Sequence, residues 1–176
     1  TMAPALRDAG LRRVNISLDT LVRERFHAIA RRDRLHDVLD GIAAAREAGF
    51  APIKINTVLM RGFNDDEVVS LARWARDEQL ELRFIEWMPL DFGRTWDRSR
   101  LVPADETLAA LAAEFPLGPE EGDDPSAPAR TFRYLDGRGR VGVIASVTRP
   151  FCGRCDRVRL TADGQLRTCL FSTREY

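Results

Sequence analysis

Nowhere in the 176 residues does an apolar run approach the ~20 residues needed to cross a bilayer. The N-terminus carries no signal-peptide pattern either, so no membrane partner is expected. Net charge is also lacking: 27 Lys and Arg balance 27 Asp and Glu. That balance gives no global basic field to attract nucleic acid, although local basic patches remain possible. Cysteine is scarce. Three residues at metal-like spacing exclude a disulfide framework and point to a reducing, cytoplasmic compartment. Histidine is scarcer still, with only His27 and His36, both far upstream of the cysteines. There is no internal repeat. What is present is ordinary for a soluble globular chain: 44% hydrophobic and 31% charged residues, long enough for one domain with a core or a domain plus an appendage.

The patterning predicts an α/β chain. Residues 1–9 read as a helix closed by Gly10, and Arg13 to Leu18 alternates as a strand. Asp19 and Thr20 are placed to cap the helices expected over 21–30 and 34–48, the second ending at Gly49. PIKINTVLM, residues 52–60, is a second strand. Asn64 is a good N-cap for a helix running to Asp77, and ELRFIEWM, residues 81–88, is a third strand. A loop with Gly93 and Trp96 precedes a helix from Pro103 to Phe115. Residues 116–129 read as an exposed loop. Strands over 131–134 and 141–147 form a hairpin across the turn at 136–139. Strands spaced 30–40 residues apart and separated by helices argue parallel pairing through right-handed crossovers. An opening helix with no strand before it suggests the second part of a larger β/α barrel, over 1–115, followed by a C-terminal region over 116–176.

Strand parity singles out one face. Asn15 and Ser17 share a side of the first strand, and Lys54 and Asn56 share a side of the second. A packed barrel interior is apolar. Polar residues on neighbouring parallel strands therefore favour a wet cavity for a polar ligand over a face that merely meets helix ends. Arg83 has the same parity in the third strand, whereas Glu86 falls on the other side.

The densest chemistry lies in FCGRCDRVRLTADGQLRTCLF, residues 151–171, which holds Cys152, Cys155 and Cys169. A closed zinc site needs four ligands, and nearby Asp156 and Asp163 are at unpersuasive spacings. An iron–sulfur centre tolerates three thiolates and leaves one iron open to an outside ligand. Three unmetallated buried cysteines is the blander alternative, disfavoured because a Cys-x-x-Cys turn rarely arises to fill a core. Arg157 and Arg159, two apart on an extended segment, face the same way and suit a polyphosphate. Alone they would read as a solvated strand edge, but beside three cysteines the anion reading is preferred. Met88 stands at what would be the C-terminal rim of a barrel, where ligands bind, though Met is more often filler. The charges at 31–34 read as solvated surface.

The segments RVNISLDTL with ERFHAI after it, IKINTVLMRGFND, LRFIEWMP and the cysteine stretch resemble the MoaA family, the GTP 3′,8-cyclases of molybdenum cofactor biosynthesis. These are lyases of the radical S-adenosylmethionine class, and the resemblance runs from about Leu11 to Phe171. It implies the C-terminal half of an incomplete (β/α)6, TIM-like barrel plus a small region carrying an iron–sulfur site. It implies that Cys152, Cys155 and Cys169 hold a 4Fe–4S cluster whose open iron contacts the guanine of GTP. Arg157, Val158 and Arg159 would line the GTP segment, with Lys54 and Arg83 also holding GTP. Ser17 and Met88 would contact S-adenosylmethionine. The implied reaction begins with a hydrogen taken from C3′ of GTP by a 5′-deoxyadenosyl radical, and ends in the 3′,8-cyclised nucleotide. The implied partners are GTP, S-adenosylmethionine, a second copy in a homodimer and a downstream cyclic pyranopterin synthase. The family's N-terminal C-x3-C-x2-C motif, which binds a second 4Fe–4S cluster, has no counterpart here, so this chain alone is expected to lack cyclase activity. Two alternatives remain open: another radical S-adenosylmethionine enzyme with an auxiliary cluster, and a non-catalytic zinc module binding RNA or protein.

Overall fold

A computed structural model describes residues 1–90, 95–120, 124 and 126–172. The expected loop position Gly93 lies outside the described residues, as do 121–123 and 125 of the expected 116–129 loop. The helices are α1 (Ala3–Asp8), α2 (Arg23–Ala30), α3 (Leu35–Glu47), α4 (Val68–Asp77) and α5 (Ala104–Glu114). The strands are β1 (Val14–Ser17), β2 (Ile53–Leu59), β3 (Glu81–Glu86), β4 (Leu117–Pro119), β5 (Arg130–Tyr134), β6 (Arg140–Ile144), β7 (Arg159–Leu160) and β8 (Leu166–Arg167). Six strands form one sheet in the order β1-β2-β3-β6-β5-β4, and β7 and β8 pair by themselves.

β1, β2 and β3 are parallel, as the helical spacing predicts. β6 adds to the free edge of β3, also parallel, and β5 and β4 follow antiparallel. Two features differ from the sequence reading. The hairpin's second strand extends the main sheet, and Leu117–Pro119, expected in a loop, pairs with Phe132–Tyr134. Both changes cover edges: β6 occupies the β3 edge that three parallel strands alone would leave bare.

β2 explains the layering. Ile53, Ile55, Thr57 and Leu59 are buried, and Lys54, Asn56 and Val58 are half-buried between them. The buried face meets the helices. α4 presents Val68, Leu71, Ala72 and Ala75, at the i, i+3, i+4, i+7 spacing of one helical stripe. α3 adds Ile42 and Ala45, and Phe84 and Val141 supply the sheet side of the same core. Each fully buried Leu, Ile or Phe of this core contributes roughly 1.5–3 kcal/mol. Gly49 closes α3 with φ +78°, a conformation that suits glycine.

The expected caps are built differently. Asn64 makes no capping bond. Its Oδ1 accepts from Met60 N at 2.8 Å and its Nδ2 donates to the carbonyls of Asp19 and Val58 at 2.7 and 2.9 Å. Fully buried, it ties the ends of β1 and β2 together. Thr20 accepts from Val22 N at 3.0 Å and donates to Glu67 Oε1 at 2.6 Å. Glu67 also accepts from Leu21 N and Arg25 Nη1 at 2.9 and 2.7 Å. The loop that follows Ser17 is thereby fixed by buried polar bonds.

Candidate anion site and cysteine hairpin

The sheet face away from the main core carries the polar residues singled out by parity. Register aligns them across strands. Ser17, Asn56, Arg83 and Gly142 form one row, and Asn15, Lys54 and Glu81 form the next row toward the strand starts. Ser17 and Asn15 are exposed, while Lys54 and Arg83 are half-buried. Gly142 leaves the space that Arg83 crosses: a Cβ there would sit 3.2 Å from Arg83 Cγ. Among the described residues Asn56 Oδ1 is buried without a hydrogen-bond partner, an unusual state for a side-chain acceptor and one that a ligand donor would relieve. At the end of β1, burial holds the Asp19 carboxyl above its usual range, against the pull of the Val58 N–H.

Two carboxylates missed by sequence reasoning organise this region. Glu81, which shares parity with Arg83, is buried and meets Lys54, Arg83 and Arg140. The signal was a charge at the third strand's first residue, on the polar face. Glu86 has the opposite parity for a physical reason: it serves the helix side. Its carboxylate accepts from Ala104 N at 2.9 Å, capping α5, and from Val147 N and Thr148 N at 2.7 and 2.8 Å. The Thr148 hydroxyl donates to it as well. These bonds pin the turn that leads from β6 to the cysteines. Pro103, expected inside α5, is its N-cap.

Met88 follows β3, half-buried. The neighbouring Trp87 carbonyl accepts from Trp96 Nε1 at 2.9 Å, and the Arg100 guanidinium lies 5.5 Å from the Trp87 ring centroid. This clip fixes the chain at the C-terminal end of the strand.

The cysteine stretch is an exposed hairpin. Cys152 and Cys155 share one turn, closed by Cys155 N donating to the Cys152 carbonyl at 3.2 Å. The β7–β8 pairs Arg159–Arg167 and Leu160–Leu166 are antiparallel, so the segment that leads to Cys169 runs back along the one that follows Cys155. All three thiols are free and exposed. Arg157 turns back onto this end. Its Nη2 donates to Cys155 Sγ at 3.0 Å, its Nη1 donates to the Ser126 carbonyl at 3.4 Å, and its guanidinium sits 4.9 Å from the Phe151 ring centroid. The Arg157 backbone N–H, and after it the guanidinium, hold the Cys155 thiol below its ordinary range. Arg157 and Arg159 are half-buried and Val158 between them is exposed, the alternation of an extended segment.

The structure therefore brings Lys54 and Arg83 together and sets Ser17 in register beside Asn56. Among the described residues, no group of three His, Cys, Asp or Glu side chains is close enough to hold a metal, so the three sulfurs do not converge. The donors themselves fit a three-thiolate centre: they are soft, free and exposed, with a cation favouring the thiolate, and a hairpin returns the third toward the first two.

Comparison with known proteins matches residues 80–176 to the family model Molybdenum Cofactor Synthesis C and residues 1–75 to that of the Radical SAM superfamily. Over 174 residues the chain is 56% identical to the GTP 3′,8-cyclase of Streptomyces coelicolor, covering 98% of this chain and 51% of that protein. The GTP 3′,8-cyclase of Mycobacterium marinum is 52% identical over 98% of the chain and 49% of the relative. The GTP 3′,8-cyclase 2 of Mycobacterium tuberculosis is 51% identical over the same shares. The chain spans about half the length of the curated relatives it matches.

Proposed function

The chain belongs to the Molybdenum Cofactor Synthesis C family, and on that premise we propose that it is the GTP-holding part of a GTP 3′,8-cyclase. The observation that carries the reading is the polar sheet face: Lys54 and Arg83 beside Asn56, whose buried Oδ1 has no partner among the described residues. Cations for a triphosphate next to an acceptor that wants a donor describe a nucleotide better than a simple anion. In this reading Lys54 and Arg83 offset the triphosphate charge, and Arg157, Val158 and Arg159 line the base end. Ser17 and Met88, at the C-terminal ends of β1 and β3, face S-adenosylmethionine. Cys152, Cys155 and Cys169 would hold a 4Fe–4S cluster, closing around it from the exposed hairpin. When bound, that cluster would orient the guanine through its open iron, while the radical would come from S-adenosylmethionine reduced by the cluster of the family's C-x3-C-x2-C motif, which has no counterpart here; this chain's side chains bind and orient GTP so that ribose C3′ approaches guanine C8.

The parallel sheet is the C-terminal half of an incomplete β/α barrel in this proposal. Residues 1–115 contribute to the barrel and residues 116–176 close its mouth. A homodimer, a cytoplasmic location and hand-over of the product to a cyclic pyranopterin synthase complete the reading. The test is GTP affinity. A charge-assisted hydrogen bond contributes about 1.5–3 kcal/mol, so Lys54→Ala and Arg83→Ala are each expected to weaken GTP binding roughly 10- to 150-fold in equilibrium dialysis. Unchanged affinity in both variants would sink the assignment of this face to GTP.

A further inference from the structure

The best-connected side chain on the polar face is absent from the GTP reading above. Glu81 is buried, and its two oxygens are divided among three cations. Oε1 accepts from Arg83 Nε at 2.9 Å and lies 2.8 Å from Arg83 Nη2 and 3.5 Å from Lys54 Nζ. Oε2 accepts from Arg140 Nε at 3.0 Å. Register explains the convergence. Lys54 is the β2 partner of Glu81, and the next residue, Leu82, pairs with Val141 on β6, which places Arg140 on the opposite flank. Arg83, one row along the same strand face, folds back over Gly142 to reach the same carboxylate.

Lys54 and Arg83 repel one another when nothing lies between them. A carboxylate between them draws them together but also neutralises part of the charge that a polyphosphate would meet. Arg140 changes that balance, because it occupies the second oxygen. Among the described residues Arg140 has one further acidic contact, Glu120 Oε1 at 3.5 Å, at the outer edge of the cluster. The arrangement is a gathered pair of ligand cations with its counter-charge attended to from behind, the kind of supporting shell that holds a binding constellation in place.

We propose that Glu81 and Arg140 are positioning residues of the anion site. Glu81 gathers Lys54 and Arg83 on the sheet face, and Arg140, by holding the other carboxylate oxygen, keeps Glu81 from neutralising them. The inference rests on the reading of this face as the GTP site and deepens it, adding to the face one basic residue, Arg140, that acts without touching the nucleotide.

The experiment compares GTP with guanosine, which lacks the triphosphate, in equilibrium dialysis against protein purified at its natural length. Glu81→Gln and Arg140→Gln are each expected to weaken GTP binding about tenfold while guanosine changes by less than about twofold. Arg140→Lys restores the charge and is expected to recover most of the loss, which a purely structural defect would not do. Wild-type GTP affinity in Glu81→Gln and Arg140→Gln overturns the proposal. So does an equal loss for guanosine, or tighter GTP binding in Glu81→Gln, which would mark the carboxylate as a competitor of the ligand. Lys54→Ala and Arg83→Ala run alongside. If they too leave GTP affinity intact, the reading of the face itself has failed; if they weaken it while Glu81 and Arg140 do not matter, only this inference has.

Discussion

Replacing Glu86 with Ala is expected to cost about 3–5 kcal/mol of folding stability, read as a shift of the urea midpoint at constant slope. The carboxylate is 2% exposed and accepts from three backbone N–H groups, of Ala104, Val147 and Thr148, and from the Thr148 hydroxyl. Truncation leaves these donors without their acceptor, at about 1–3 kcal/mol for each that water cannot reach. Glu86→Gln keeps the shape and one acceptor oxygen but turns an amide N–H₂ toward donors, so it is expected to cost less than the Ala variant and more than a surface change. A stability loss under about 1 kcal/mol in Glu86→Ala would contradict this account of the site. The same substitution releases the turn at 145–148, so amide exchange there is expected to speed up more than in β2, whose bonds do not involve Glu86.

The second large effect concerns the cysteine hairpin. After anaerobic reconstitution with iron and sulfide, the wild-type protein is expected to be brown, with broad absorption near ~400 nm typical of iron–sulfur clusters. Cys152→Ser, Cys155→Ser and Cys169→Ser are each expected to remove most of the iron bound at this hairpin, because in the proposed reading three thiolates would hold one centre with none to spare. Folding stability should change little, since all three side chains are exposed and fill no core. Colourless protein holding zinc in place of iron would favour the zinc-module alternative. Full iron retention in Cys169→Ser would separate that residue from the other two.

Much of this was legible in the residues. The alternation of Ile53, Ile55 and Leu59 with Lys54 and Asn56 marked both the strand and its two faces, because a half-polar strand in a parallel sheet leaves few other arrangements. The helix expected to run to Asp77 is likewise found, as Val68–Asp77. Other features were not, for identifiable reasons. The 136–139 turn announced that β5 and β6 pair, yet nothing local to it says which free edge the hairpin joins. The bond from Arg140 to Glu81 spans 59 residues of sequence and follows only once β6 lies beside β3. Asn64 resembled a cap because caps and buried loop ties use the same short amide; the neighbouring carbonyls of Asp19 and Val58 decide between them. Glu86 spoiled the parity of β3 because it serves the helix layer, a role invisible until Ala104 and Thr148 are placed. The cysteine spacing announced a metal, whereas the positions of the sulfurs relative to one another depend on the hairpin's approach to the sheet, which the spacing does not encode.

In the proposed function the polar sheet face and the cysteine hairpin form one site for GTP. The direct measurement is the iron–sulfur absorption and electron paramagnetic resonance spectrum of reconstituted protein during a GTP titration. A saturable change in the cluster's signal with GTP is expected, with the same change displaced to roughly 10- to 150-fold higher GTP in Lys54→Ala and Arg83→Ala. A cluster spectrum that stays unchanged while GTP binds, or a titration that Lys54→Ala and Arg83→Ala do not displace, would contradict it.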